Sequence, residues 1–110
     1  MLPKRLRIKK RIEYRRLLKN SSRKQGKFFF LNVQMTNQPY AKLGITAPKK
    51  FGHAPDRNRF KRIAREAFRA IYSDLPPGSL IHVSPRQKAK EAKMTDIAQE
   101  MTTLIHETQS

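Results

Sequence analysis

The chain has 110 residues, enough for one domain with a single modest core. Its 25 lysines and arginines outnumber its 8 acidic residues and give a net charge of +17, which indicates a nucleic acid as partner rather than an anionic membrane. The absence of cysteine excludes disulfides and zinc–thiolate sites, and no apolar run approaches the ~20 residues that span a bilayer. These absences predict a cytoplasmic protein without membrane association.

The N-terminal part combines a basic segment, a short helix and a loop. Residues 4–11 carry six cations in eight positions, which fits either a disordered solubilising tail or a phosphate-binding arm. We expect residues 1–10 to be a flexible, basic part of a single domain that spans 1–110. Residues 11–19 are expected to form a helix with Tyr14 and Leu17 among its less polar positions. Residues 20–26 contain Asn, Ser and Gly and predict a loop.

Two strands are expected between residues 28 and 47. Residues 28–33 are aromatic and β-branched, and they read as apolar on both faces of a strand. Residues 41–47 resemble a second strand that forms a hairpin with the first. Gly44 within it indicates a bulge or a close backbone approach. Residues 48–53 form a basic loop.

The segment from Pro55 to Tyr72 has the strongest helical pattern. Its apolar positions recur at helical spacing and predict one buried stripe: Phe60, Ile63, Ala64, Ala67, Phe68 and Ile71. Cationic rows flank that stripe, one with Arg57, Lys61 and Arg65, and another with Asn58, Arg62, Arg65 and Arg69. Glu66 is the only acid between 57 and 73, so this surface is expected to face a polyanion.

The C-terminal part predicts a third strand and a last helix. A turn at 76–78 precedes a strand over 79–84, and a basic connector over 85–93 follows it. The last helix is expected over 96–106, with Asp96 as its N-cap and Gln99 three residues on. The order of elements indicates an α+β protein built as a mixed two-layer sandwich.

The sequence contains no constellation that would make a self-sufficient active site. The acids are scattered, and His53, His82 and His106 fall in different elements without metal-ligand spacing, so each is expected to be structural or on the surface. Binding chemistry is present instead, because Arg and Lys neutralise phosphates and aromatic rings stack on bases. Tyr14 and Phe29 are candidates for stacking, with core packing as an equal alternative.

Residues 49–54 (KKFGHA) and 57–69 (RNRFKRIAREAFR) resemble the signature of the bacterial ribonuclease P protein component. The match is highly specific over 49–69 and looser over most of the remaining chain. The resemblance implies an αβββαβα order, a four-stranded sheet and a left-handed βαβ crossover. General physics alone predicts the opposite hand, because about 98% of such crossovers are right-handed.

That family assists an endoribonuclease that removes the 5′ leader of precursor tRNA, in which an RNA with bound Mg²⁺ is the catalyst. The resemblance therefore implies two partners, ribonuclease P RNA and precursor tRNA, and neither DNA nor a membrane. No catalytic residue and no metal ligand are assigned to the protein itself, and we expect it to bind no cofactor; the position of any metal bound to the protein stays open.

The resemblance also implies site residues. Arg57, Lys61 and Arg65 would line one side of a cleft for the single-stranded leader. The floor and opposite wall would be Tyr14, Leu18, Phe29, Leu31 and Thr46, with Leu18 and Leu31 standing where the family often has aromatic residues. Contacts with the catalytic RNA would come from Asn58, Arg59, Arg62, Lys49 and Lys50, and Arg69 continues this basic surface.

Three other functions remain open at this point. A structural RNA-binding protein of ribosomal type fits the charge, the length and the mixed fold. A DNA-binding module with the 55–72 helix in the major groove is less favoured, because no second helix precedes it closely enough for a helix-turn-helix. A stand-alone nuclease is the least favoured, since the chain has no catalytic group of its own.

Overall fold

A mixed four-stranded sheet lies at the centre of the protein. The computed structural model describes residues 2–8 and 11–109, without the side chains of residues 16, 18, 20 and 109. Its elements are α1 (Arg11–Asn20), β1 (Ser22–Gln25), β2 (Phe29–Met35), β3 (Lys42–Ile45), α2 (Ala54–Ile71), β4 (Ser79–Pro85) and α3 (Met94–Gln109). The αβββαβα order and the α+β class are thus confirmed.

The strands lie in the order β1-β2-β4-β3. Strands β1 and β2 are antiparallel, as are β2 and β4, whereas β3 runs parallel to β4. The predicted hairpin between the second and third strands is therefore wrong, because β4 inserts between them. Helix α2 makes the crossover that joins the parallel pair. The hand of this crossover stays a prediction.

Strand β1 occupies a segment that the sequence predicts as a loop. Its four residues are Ser, Arg, Lys and Gln, so no apolar alternation marks it. It forms because an edge strand can satisfy its backbone through β2 while its side chains remain in water.

The two faces of the sheet are covered differently. Helices α2 and α3 pack on one face and form the main core, where Leu31 and Val83 of the sheet meet Phe60 and Met101 of the helices. Helix α1 covers part of the other face through a smaller cluster of Ile8, Leu17 and Leu80, with Tyr14 at its border. The first face contains the larger apolar cluster, and the second face therefore has room for polar residues.

Residues 2–8 are packed against the domain, and the prediction of a flexible segment is wrong for them. Leu2, Leu6 and Ile8 are 3%, 7% and 5% exposed. Arg7 forms a parallel bridge with Leu43 of β3, and the Ile8 amide donates to the Leu43 carbonyl at 2.9 Å. The segment thus protects the outer edge of β3. Residues 1, 9 and 10 lie outside the described part of the chain.

Helix α3 begins at Met94, two residues earlier than predicted, so Asp96 is not its N-cap. The Asp96 carboxylate instead accepts from the backbone amide of Lys93 at 2.9 Å, as the third residue of a capping box does. Further along, the Glu100 carboxylate accepts from the amides of Lys27, Phe28 and Phe29 at 2.7–3.2 Å. These hydrogen bonds fasten α3 to the β1–β2 turn.

Candidate nucleic-acid interface

Helix α2 presents its cations as two rows of different exposure. The inner row, Arg57, Lys61 and Arg65, is half-buried, because it flanks the apolar stripe that packs on the sheet. The outer row, Asn58, Arg62 and Arg69, is exposed. Both rows match the predicted spacing. They differ in what they can contact, since only the inner row lies beside the sheet.

A cleft separates Tyr14 of α1 from Arg65 of α2. Between them runs the backbone of β3 at Gly44 and Ile45, and these residues line one cavity together with Leu2, Arg7 and Leu43. A Cβ atom at Gly44 would lie 2.9 Å from the Tyr14 hydroxyl. The close approach predicted for Gly44 is therefore confirmed, and the aromatic ring occupies the space that a side chain would fill.

Tyr14 is held by its surroundings in the neutral form. Burial raises the pKa of its hydroxyl, while a hydrogen bond with the Ile45 backbone and the charge of Arg65 act in the opposite direction. The ring meets the His82 ring edge-on, with the centroids 5.8 Å apart. The cleft thus presents an uncharged aromatic group opposite a cation.

His82 lies at the floor of the cleft, although its sequence position gave no indication of this. Its side chain is 5% exposed, and its Nε2 atom lies 2.8 Å from the hydroxyl of Thr46. Burial lowers the pKa of the imidazole to about 4, so the ring is neutral at physiological pH. The Nδ1 atom has no hydrogen-bond partner among the described residues. Thr46 itself is exposed, as a cleft residue should be.

Phe29 and Leu31 point away from the cleft, and their predicted place in its floor is wrong. Both are 0% exposed and belong to the main core under α2 and α3. Because side chains alternate along a strand, the cleft face of β2 carries Phe30 and Asn32 instead. The polar residues Asn32 and Gln34 lie on the same face of β2 as Phe30, and their polarity could have shown from the sequence that this face is not the one buried in the main core. The side chain of Leu18 lies outside the described residues, so its predicted role stays a prediction.

Phe30 extends the aromatic surface beyond Tyr14. The guanidinium groups of Arg23 and Arg86 lie 4.5 and 5.5 Å from its ring centroid. Phe30 pairs with Ser84, which is two residues after His82 and therefore on the same face of β4. A cavity beside Phe30 has no acidic residue in its lining, which consists of Lys27, Phe30, Pro48, Lys50, Phe51, Pro85, Arg86, Gln87 and Lys88.

Arg59 is engaged within the protein. Its Nη1 atom donates to the carbonyls of Ala89 and Lys90 at 3.4 and 3.3 Å, and its Nη2 atom donates to that of Ala92 at 2.5 Å. These bonds tie α2 to the single-turn helix at Gln87–Glu91. The contact with RNA predicted for Arg59 is therefore not supported, because most of its donor fork is already used.

The remaining predicted RNA contacts lie on the surface. Lys49 and Lys50 are exposed at a short helical turn before α2. Arg62 makes an exposed ion pair with Glu66 at 3.4 Å, which is of the weak surface kind. Arg69 is exposed near the C-terminal end of the same row.

Neither a metal cluster nor a membrane span occurs in the described part of the chain. No group of three or more His, Cys, Asp or Glu side chains there could hold a metal ion. No helix within residues 2–8 and 11–109 is long and apolar enough to cross a bilayer. What the described site offers is a binding surface of cations and aromatic rings.

Comparison with known proteins gives consistent matches over nearly the whole chain. A family model described as Ribonuclease P matches residues 2–109. The ribonuclease P protein component of Chlamydia abortus is 41% identical over 107 residues, which cover 96% of this chain and 76% of that protein. The component of Thermotoga petrophila is 34% identical over 88 residues, covering 80% and 75%.

Solved structures agree with these sequence matches. The RNase P protein from Thermotoga maritima superposes with a TM-score of 0.81 at 28% identity, covering 92% of this chain and 96% of that one. A Staphylococcus aureus RNase P protein mutant with defective mRNA degradation activity gives a TM-score of 0.85 at 28% identity, covering 96% and 90%. The architecture described above is thus shared with these proteins.

Proposed function

Because the chain belongs to the ribonuclease P protein family, we propose that it is the protein subunit of a cytoplasmic ribonuclease P. In this role it binds the catalytic RNA and holds the single-stranded 5′ leader of precursor tRNA in the cleft between α1 and α2. The holoenzyme then cleaves the leader to give the mature 5′ end.

One observation carries the leader assignment: aromatic rings on the α1 face of the sheet meet cations at the edge of that face. Tyr14 lines one cavity with Arg65 of the inner row, and Phe30, on the same sheet face as Tyr14, lies beside Arg23 and Arg86. Phosphates of a single strand bind the cations, and unpaired bases stack on the rings, each stack contributing about 1–3 kcal/mol. A double helix would not expose its bases to these rings, so the cleft favours a single strand.

Hydrolysis is assigned to the RNA. The neutral, buried His82 forms a hydrogen bond with Thr46 and cannot reach a phosphodiester. No other described residue forms a nucleophile–base pair in the cleft. Mg²⁺ prefers carboxylate, phosphate and water oxygens, whereas the charged residues that line the two cavities at Tyr14 and Phe30 are all cations. We therefore place the Mg²⁺ that supports the reaction on the catalytic RNA.

The catalytic RNA is assigned to the outer row and the loop before it. Asn58, Arg62 and Arg69 are exposed on the side of α2 away from its buried stripe, and Lys49 and Lys50 precede the helix. Arg59 is left out of this set because it holds the backbone of residues 89–92.

Reconstitution tests the proposal. The protein is added to its cognate RNA at low Mg²⁺, and cleavage of a precursor tRNA is measured. We expect cleavage to increase, because added cations reduce the repulsion between the RNA and its substrate. No increase would refute the assignment, and cleavage by the protein without RNA would refute the division of labour.

A second measurement tests the cleft. The double variant Arg57→Ala/Lys61→Ala should bind a single-stranded leader oligonucleotide more weakly. The slope of log affinity against log salt should become shallower by about 0.7 per lost phosphate contact. The variant Arg15→Ala/Lys19→Ala removes the same charge from exposed positions on α1 and serves as the control. Equal slopes for both variants would exclude the cleft as the leader site.

A further inference from the structure

Two apolar residues fix the N-terminal segment next to the outer row of α2. Leu2 is 3% exposed and lines a cavity with Arg62, Arg65, Glu66 and Arg69. Leu6, at 7% exposed, joins the main core. Because both ends of this short stretch are buried, the cations between them are held at a defined place on the surface.

The turn at Lys4–Leu6 presents those cations to solvent close to Leu2. Pro3, Lys4 and Arg5 are exposed, and the Arg7 Nε atom donates to the Leu2 carbonyl at 3.0 Å, which closes the turn. A chain spans at most about 3.6 Å per residue, so the Cα of Lys4 lies within about 7 Å of that of Leu2. The side chains of Lys4 and Arg5 can therefore reach the space above Arg62 and Arg65.

From this placement we propose a second phosphate-binding surface, which borders the cleft at Leu2 and Arg65 and takes the sugar–phosphate backbone of a helical segment of the catalytic RNA. We define it as the arm surface: Lys4, Arg5, Arg62, Arg65 and Arg69, grouped around Leu2. It rests on the proposed function and adds residues from the N-terminal segment to the RNA interface.

The arm surface lacks the groups that recognise a single strand. None of these residues is aromatic, and the cavity at Leu2 is lined by four charged side chains and one leucine. Stacking is thus unavailable, and only phosphates can be bound, without reading of sequence. Helical RNA is recognised in this way, through its backbone and shape. Glu66 is the one acid in the lining, and Arg62 partly neutralises it at 3.4 Å.

The test compares two double variants of the full-length protein in binding to the cognate ribonuclease P RNA. Lys4→Ala/Arg5→Ala removes two charges from the arm surface, and Arg15→Ala/Lys19→Ala removes two exposed charges from α1. For the first variant, the slope of log affinity against log salt concentration should become shallower by about 1.8, at about 0.9 per phosphate contact with a duplex. For the control variant, the slope should change by less than half as much. Binding of a leader oligonucleotide should be equal for both.

Three outcomes would overturn the arm surface. The first is equal loss of RNA affinity in the two variants, and the second is a loss confined to the leader oligonucleotide. The third is rapid amide hydrogen exchange of Ile8 in the free protein, since its bond to Leu43 should slow that exchange. If the unmodified protein fails to bind the RNA at all, the proposed function fails instead, so the two ideas are separable.

Discussion

The hydroxyl of Thr46 and the Nε2 atom of His82 lie 2.8 Å apart, and this contact joins an exposed cleft residue to a buried one. Thr46 follows β3 and His82 belongs to β4, so the bond spans the parallel pair of strands. Because His82 is neutral, the floor adds no positive charge to the cleft. The positive charge around the cleft therefore comes from the inner row of α2 and from the arginines near Phe30.

The depressed pKa of His82 predicts a loss of stability in acid. The folded imidazole titrates at about 4 and the unfolded one near 6.5, so the unfolded state binds more protons between these values. The free energy of unfolding should hold above pH 6.5 and fall as the pH drops. His82 should contribute a loss of about 2 kcal/mol between pH 7.5 and 5.

This contribution is measured by urea unfolding of the wild type and of His82→Gln, each at pH 7.5 and at pH 5. The exposed His53, changed to Gln, is the matched control. Identical pH profiles for His82→Gln and the wild type would contradict the burial of a neutral imidazole.

Gly44→Ala should displace Tyr14 without unfolding the protein. The new Cβ would lie 2.9 Å from the hydroxyl and 3.0 Å from the ring, at the movable end of the tyrosine side chain. We expect a stability change of at most about 1 kcal/mol and a several-fold loss of leader affinity. In a Tyr14→Ala background the same change should have no further effect. Additive losses would mean that Gly44 acts independently of Tyr14.

Phe29 and Phe30 should respond oppositely to truncation. Phe29→Ala removes a ring from the main core and should cost about 3–5 kcal/mol of unfolding free energy. Phe30→Ala should leave stability nearly intact and weaken leader binding by about 1–3 kcal/mol, the value of one base stack. Thermal unfolding and fluorescence anisotropy provide the two readings. A leader-binding defect from Phe29→Ala at full stability would restore the original assignment.

Arg59→Ala should act on stability rather than on RNA binding. It removes the hydrogen bonds to the carbonyls of Ala89, Lys90 and Ala92, and we expect a loss of about 2 kcal/mol. The salt slope for the catalytic RNA should not change. The neighbouring Arg62→Ala should show the reverse, with a shallower slope and stability within about 0.5 kcal/mol of wild type. A shallower slope of log affinity against log salt for Arg59→Ala would mean that Arg59 contacts the catalytic RNA after all.

Residues with strong periodicity could be placed from sequence alone. The stripe from Phe60 to Phe68 is buried as its helical spacing predicts, and both cationic rows follow from the same geometry. The match over 49–69 gave the family and with it the order of elements, including a fourth strand. Strand β1 was missed because Ser22–Gln25 carries no apolar residue, and its pairing depends only on its neighbour's backbone.

The site residues that were predicted wrongly depend on contacts between separate elements, which no local sequence pattern contains. Three consecutive phenylalanines hide which parity faces the core, and only the packing of α2 selects Phe29 over Phe30. His82 reaches the cleft because β4 pairs with β3, a non-local contact that no short pattern contains. For the cations at Lys4 and Arg5 the sequence leaves a tail and a phosphate-binding arm both open, since the anchoring by Leu2 requires the shape of α2.

The central position of β4 determines the order in which the strands can pair as the chain leaves the ribosome. The β1–β2 hairpin can close early, but β3 has no strand to join until residues 79–85 have been synthesised, and only then can α2 settle on a complete sheet. Most native pairing is thus delayed until β4 has been synthesised, which predicts slow, late folding with a strongly basic nascent chain exposed meanwhile.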